Sequence, residues 1–153
     1  MSSLEQDLSR ALAELQALER VISDLQNRAA ALRALISEYD GAIQLLEELK
    51  GRSSELKVLI PIGGGNFLRA EIREVEEVHV SLGAGVMIRK PLKEGYELIK
   101  QRREKLSQSL KAHEEAAVNY AQRAEELRRL IQALSARLKE LQEKAGEKPA
   151  GQG

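Results

Sequence analysis

A stripe of apolar residues, spaced alternately four and three apart, dominates the first third of the chain: Leu4, Leu8, Ala11, Leu15, Leu18, Ile22, Leu25, Ala29, Leu32, Ile36, Tyr39, Ile43, Leu46. No step slips and no seam position is polar. A strict 3.5-residue repeat of this kind keeps one helical stripe against a partner helix when the two supercoil left-handedly. Residues 4–50 at about 1.5 Å per residue make a helix of roughly 70 Å. Ser3 with Gln6 offers a capping box at its start.

The last third repeats the pattern: Leu92, Tyr96, Ile99, Arg103, Leu106, Leu110, His113, Ala117, Tyr120, Ala124, Leu127, Ile131, Leu134, Leu138, Leu141. Only Arg103 and His113 interrupt it. Pro91 falls where a helix tolerates proline, in the first turn. Asp24–Arg28, Glu125–Arg129 and Glu140–Lys144 give favourable i,i+4 pairs on outer faces. Composition agrees with long helices. Aromatics are 3% of the chain, with no Trp and one Phe, so a globular core built on large rings is not available.

Between the helices the period changes to two. Leu68, Ala70 and Ile72 alternate with Arg69, Glu71 and Arg73, and Val78, Val80 and Leu82 with His79 and Ser81. Alternation of this kind marks half-buried strands. Leu56–Ile62 and Val86–Arg89 complete four short strands. Gly63-Gly64-Gly65-Asn66 and Gly83-Ala84-Gly85 supply the positive φ that tight hairpin turns need. The insert is therefore read as two β-hairpins in tandem.

The fold class that follows is mainly α: a long antiparallel two-helix coiled coil with two β-hairpins inserted at the turn. Its parts are an N-terminal helix over 1–50, the double hairpin over 51–90, a C-terminal helix over 91–145 and a disordered, Gly-rich tail over 146–153. If Leu46 lies level with Tyr96, then Leu4 lies level with Leu138, and the seams end together. Gly41 and Gly95 both fall near the insert, where local bending does least harm.

Two surfaces are left uncovered by this plan. Two short hairpins have open edges and are marginal alone, so the insert is expected to assemble with other chains. Its apolar face, Val58, Ile60, Ile62, Leu68, Ile72, Val78, Val80, Leu82, Val86 and Ile88, is the expected subunit contact. At the other end, Leu12 and Leu130 sit beside the seam at one level. With Leu4, Leu8, Leu134, Leu138 and Leu141 they offer apolar surface beyond what the seam needs, the usual mark of an interaction site.

The order helix, two hairpins, helix, with Val58-Leu59-Ile60-Pro61-Ile62-Gly63-Gly64-Gly65 and Val80-Ser81-Leu82-Gly83-Ala84-Gly85-Val86 in the middle, resembles the alpha-type subunits of archaeal prefoldin. The likeness covers the chain except the tail, and the doubled hairpin points to the alpha type. It implies a hexamer of two alpha and four beta subunits, joined by a double β-barrel hub. It also implies capture of unfolded polypeptides at coiled-coil tips without ATP, here at Leu4, Leu8, Leu12, Leu130, Leu134, Leu138 and Leu141, and delivery to a group II chaperonin. A prefoldin-like scaffold or filament subunit is the alternative.

Other chemistry finds little footing. Basic and acidic residues number 24 each, which gives no support for binding nucleic acid or an anionic membrane. Lack of Cys excludes disulfides and thiolate metal sites. The N-terminus lacks the basic start and apolar run of a signal peptide, and no apolar run nears the ~20 residues of a membrane span, so a cytoplasmic protein is expected. Gly63-Gly64-Gly65 lacks the Lys-Ser/Thr and following helix of a phosphate loop, and Gly83-Ala84-Gly85 lacks the third Gly and helix of a dinucleotide fingerprint. His113 has no second ligand at i±3 or i±4, and it and Arg103 read as packing irregularities or register devices in the seam. Glu47-Glu48, Glu76-Glu77, Glu114-Glu115 and Glu125-Glu126 are sequence neighbours that do not face each other on a helix. No enzyme, cofactor or metal is expected.

Overall fold

The computed structural model describes residues 2–51 and 55–147. In chain order these form α1 (Ser3–Lys50), β1 (Leu56–Gly63), β2 (Asn66–Ile72), β3 (Glu77–Gly83), β4 (Val86–Pro91) and α2 (Leu92–Glu147). Two expected boundaries move. Pro91 closes β4 instead of opening the helix, and α2 runs through Gly146 to Glu147. The rest of the expected disordered tail, 148–153, lies outside the described residues.

The cap of α1 also differs from expectation by one residue. Ser2 N donates to Glu5 Oε2 at 2.9 Å, and Glu5 N donates to Ser2 Oγ at 3.2 Å. The capping box is thus Ser2 with Glu5. Glu serves better than Gln there, because its charge also meets the positive end of the helix dipole.

The chain divides into two compact units, one of Met1–Ala31 with Leu110–Gly153 and one of Leu32–Ser109. In α1 the periodicity is realised fully: each seam residue from Leu4 to Leu46 is buried or half-buried. Apart from Glu5 and Leu49, every other described α1 residue is exposed. In α2 the seam holds except at Tyr120 and Leu141, which are exposed.

Two exposed ion pairs mark the register of the helix pairing within the first unit. Glu14 Oε1 meets Arg123 Nη2 at 3.0 Å, and Glu19 Oε1 meets Arg128 Nη2 at 3.4 Å. Glu14 and Arg123 each precede a seam residue, while Glu19 and Arg128 each follow one. Like flanks meeting like is the antiparallel pattern for positions beside a seam. In this register Ala11 stands level with Ile131, Leu18 with Ala124, Leu25 with Ala117 and Ala29 with His113. Each seam alanine therefore stands opposite a larger residue, His113 opposite Ala29 among them.

In the second unit Leu46 and Tyr96 are both buried. Tyr96 Oη donates to Glu47 Oε1 at 2.7 Å, with Lys50 Nζ 4.0 Å above its ring centroid. The bond to Glu47 and burial hold the phenol proton above its ordinary pKa. Arg103, half-buried in the seam, donates from Nε to Asp40 Oδ1 at 2.8 Å. That bond raises the guanidinium pKa and keeps the charge paired where its stem covers apolar surface.

The insert is two separate two-stranded antiparallel sheets, β1–β2 and β3–β4. They correspond position by position. Hairpin one pairs Ile60 with Leu68 and Gly63 with Asn66, leaving Ile62 over. Hairpin two pairs Val80 with Ile88 and Gly83 with Val86, leaving Leu82 over. Both turns use three successive positive φ values: 107°, 60° and 79° at Gly63, Gly64 and Gly65, and 93°, 50° and 77° at Gly83, Ala84 and Gly85. Glycine is the residue that takes such angles without a Cβ penalty, and Ala84 bears that penalty.

Candidate functional site

Hairpin two is docked on its own chain. Val80 is 3% exposed. Leu92 N donates to Glu76 O at 2.9 Å, and Arg102 Nη1 donates to Ser81 O. Beside this contact lies a shallow groove of about 200 Å³ whose lining includes Tyr39, Ala42, His79, Val80, Ile99 and Arg102. A Cβ built on Gly95 would sit 2.0 Å from Val78 Cγ1 and 3.6 Å from Val80 Cγ2. Gly95 is thus a close-approach position, a role the sequence reading did not give it. Gly41, also expected near the insert, has open space around its Cβ position.

Hairpin one is docked far less. Val58 and Ile72, near its root, are half-buried, while Ile60, Ile62 and Leu68 are exposed, Ile60 by 46%. In the ladder register these side chains share one face with Leu56 and Ala70. The other face carries Leu59 and Phe67, 64% and 56% exposed, with Pro61 between them in register. The sequence reading assigned no role to Leu59, Phe67 or Met87. The available signal was the unbroken run Val58–Ile62, since a strand apolar at every position has both faces to cover.

Of the expected assembly residues in hairpin two, Val78 and Ile88 are half-buried and Val80 is spent inside the chain. Leu82 and Val86 are exposed beside Met87.

The expected tip residues also separate. Leu4, Leu8, Leu134 and Leu138 are half-buried in the seam, while Leu12 (44%), Leu130 (48%) and Leu141 are exposed. Leu12 lies one heptad before Glu19, on that flank. Leu130 lies one heptad after Arg123, on the opposite flank. Level in height, they do not form one patch.

Among the described residues no cluster of His, Cys, Asp or Glu could hold a metal ion, and no helix is long and apolar enough to cross a membrane. Nor is any side-chain polar atom buried without a partner there.

An antiparallel helix pair carrying a hairpin with uncovered apolar faces defines a class: a coiled-coil subunit built to assemble. The comparisons narrow it. A family model described as "Prefoldin subunit" matches residues 18–137, and the chain belongs to the prefoldin family, with the alpha type. It is 32% identical over 102 residues to prefoldin subunit alpha of Methanococcoides burtonii, covering 67% of this chain and 74% of that one. It is 31% identical over 121 residues to that of Methanosarcina barkeri, covering 77% and 84%. A solved structure, a filamentous PFD from Methanocaldococcus jannaschii, matches with a TM-score of 0.62 at 22% identity, over 75% of this chain and 95% of that one. That likeness shows the fold. The relatives make this chain a prefoldin chaperone subunit that assembles with other prefoldin subunits.

Proposed function

We propose that the chain captures unfolded polypeptides through apolar side chains near its paired helix ends, without ATP, and passes them to a group II chaperonin. Assembly is through the insert, with a second alpha and four beta subunits, by closing the strand edges into a β-barrel hub. The observation that carries the capture reading is the exposure of Leu12 and Leu130, on opposite flanks of the seam, and of Leu141 at its end. Each such contact is weak. Several chains holding one client raise avidity without strengthening any single contact.

The chain co-assembled with its beta-type partner is expected to suppress aggregation of a denatured protein in the absence of nucleotide. Replacing Leu12, Leu130 and Leu141 by Ser leaves the half-buried seam untouched and should weaken that suppression. Undiminished suppression by the triple variant refutes the capture site.

A second reading, an open-ended filament, is favoured by the unpaired sheet edges and by the filamentous character of the PFD whose fold this chain shares. Mass in solution separates the two. A closed complex of six chains supports the first, and polymers growing with concentration support the second.

A further inference from the structure

We infer that Gly95 is the positioning residue that seats hairpin two on α2, and that this seat orients the insert for assembly. The inference rests on the reading of the insert as the assembly surface. The seat is specified sterically. Val78 Cγ1 occupies the place of the missing Cβ, at 2.0 Å, and Val78 Cβ lies at 3.5 Å. Valine has a single side-chain torsion, strongly restricted by its branching. Val80 Cγ2, at 3.6 Å, closes the other side. A Cβ at position 95 therefore has to displace Val78 Cγ1, by forcing the restricted valine torsion or by moving β3 away from the helix. Movement of β3 withdraws Val80 from its buried site and parts Ser81 O from Arg102 and Glu76 O from Leu92 N.

The seat also divides labour within the insert. Val78 and Val80 are committed inside the chain. What hairpin two has left for partners lies around its turn, at Leu82, Val86 and Met87, all exposed. Hairpin one, whose Ile60 corresponds to Val80, keeps Ile60, Ile62 and Leu68 exposed.

Hydrogen exchange on the full-length chain tests the seat directly. Gly95→Ala is expected to speed exchange over 77–91 by about tenfold or more while leaving α1 protected. Val78→Ala removes the blocking methyls, so Val78→Ala with Gly95→Ala should restore protection to that of Val78→Ala alone. Gly41→Ala, where the Cβ meets nothing, is the control and should leave the insert unchanged. Unaltered exchange in Gly95→Ala, or a double variant as unprotected as Gly95→Ala, overturns the seat.

Native mass with the partner subunit tests the link to assembly, and a reduced yield of complex from Gly95→Ala is expected. Full assembly of a Gly95→Ala chain whose hairpin is unprotected overturns the orienting role alone. Full assembly of Ile62→Ser with Leu68→Ser, by contrast, removes the assembly reading itself.

Discussion

Ile60 and Val80 hold the same place in two hairpins that share register, bulge and turn, yet one is 46% exposed and the other 3%. Residue type does not separate them, since both are β-branched residues at the same place in their strands. The difference is made on α2, where Gly95 admits Val78. A strand pair of this size is marginal alone. Hairpin two gains its support from its own helix, and hairpin one remains open to support from another chain. The same unit, used twice, thus provides an internal brace and an uncovered face.

The sharpest way to break this comparison is truncation at the paired positions. Val80→Ala should destabilise the isolated chain by about 2 kcal/mol, from lost burial plus the cavity left behind. Ile60→Ala should cost about half as much, despite removing more carbon, because its side chain is already half in water. Urea unfolding followed by circular dichroism measures both. Equal losses would mean that the two hairpins are equally supported. In the assembled complex the Ile60→Ala loss should grow and the Val80→Ala loss should not.

The turns provide a smaller test. Gly64 and Ala84 take the same left-handed conformation, at φ 60° and 50°. Ala84→Gly should stabilise hairpin two, and Gly64→Ala destabilise hairpin one, each by about 1 kcal/mol. Thermal unfolding midpoints moving in the same direction would contradict the correspondence. Gly41→Ala touches neither hairpin and should add about 0.5–1 kcal/mol through helix propensity alone, readable as a raised midpoint. The smallest effect concerns the side chains that tie the turns. Asn66 Nδ2 donates to Gly63 O at 3.2 Å, and Gly83 N donates to Ser81 Oγ at 3.2 Å. Asn66→Ala and Ser81→Ala should each cost about 0.5 kcal/mol, as exposed hydrogen bonds do.

The helix pairing was legible because its signal is local and repeated. Each seam residue from Leu4 to Leu46 reports the same stripe, and the level of Leu46 with Tyr96 follows from the two stripes together. The hairpins were legible for a similar reason, in period-two alternation broken by glycines. Gly95 was not. A glycine in a helix reads as a propensity defect until the strand that presses on it is known, and that strand arrives from another element. Tyr120 was misjudged because a periodic position says where a side chain starts, not how much of a large ring its partner covers. The separation of Leu12 from Leu130 was available in the heptad, where one follows a seam residue and the other precedes the next. Matching their heights alone concealed it. Leu59 and Phe67 escaped because alternation was sought on one face only.

The alanines of the seam have a dynamic consequence. Among the described residues the buried apolar ones of the first unit are Ala11, Ala29, Ala124 and Leu127, and those of the second are Ile36, Leu46, Val80 and Tyr96. A buried alanine removes a single methyl from water, so each turn of the first unit gives up less on opening than a turn of the second. Free energies of local opening follow such differences. Warming the chain should therefore loosen the first unit before the second. The apolar stripe that runs through it is the part of the seam that thermal motion uncovers soonest.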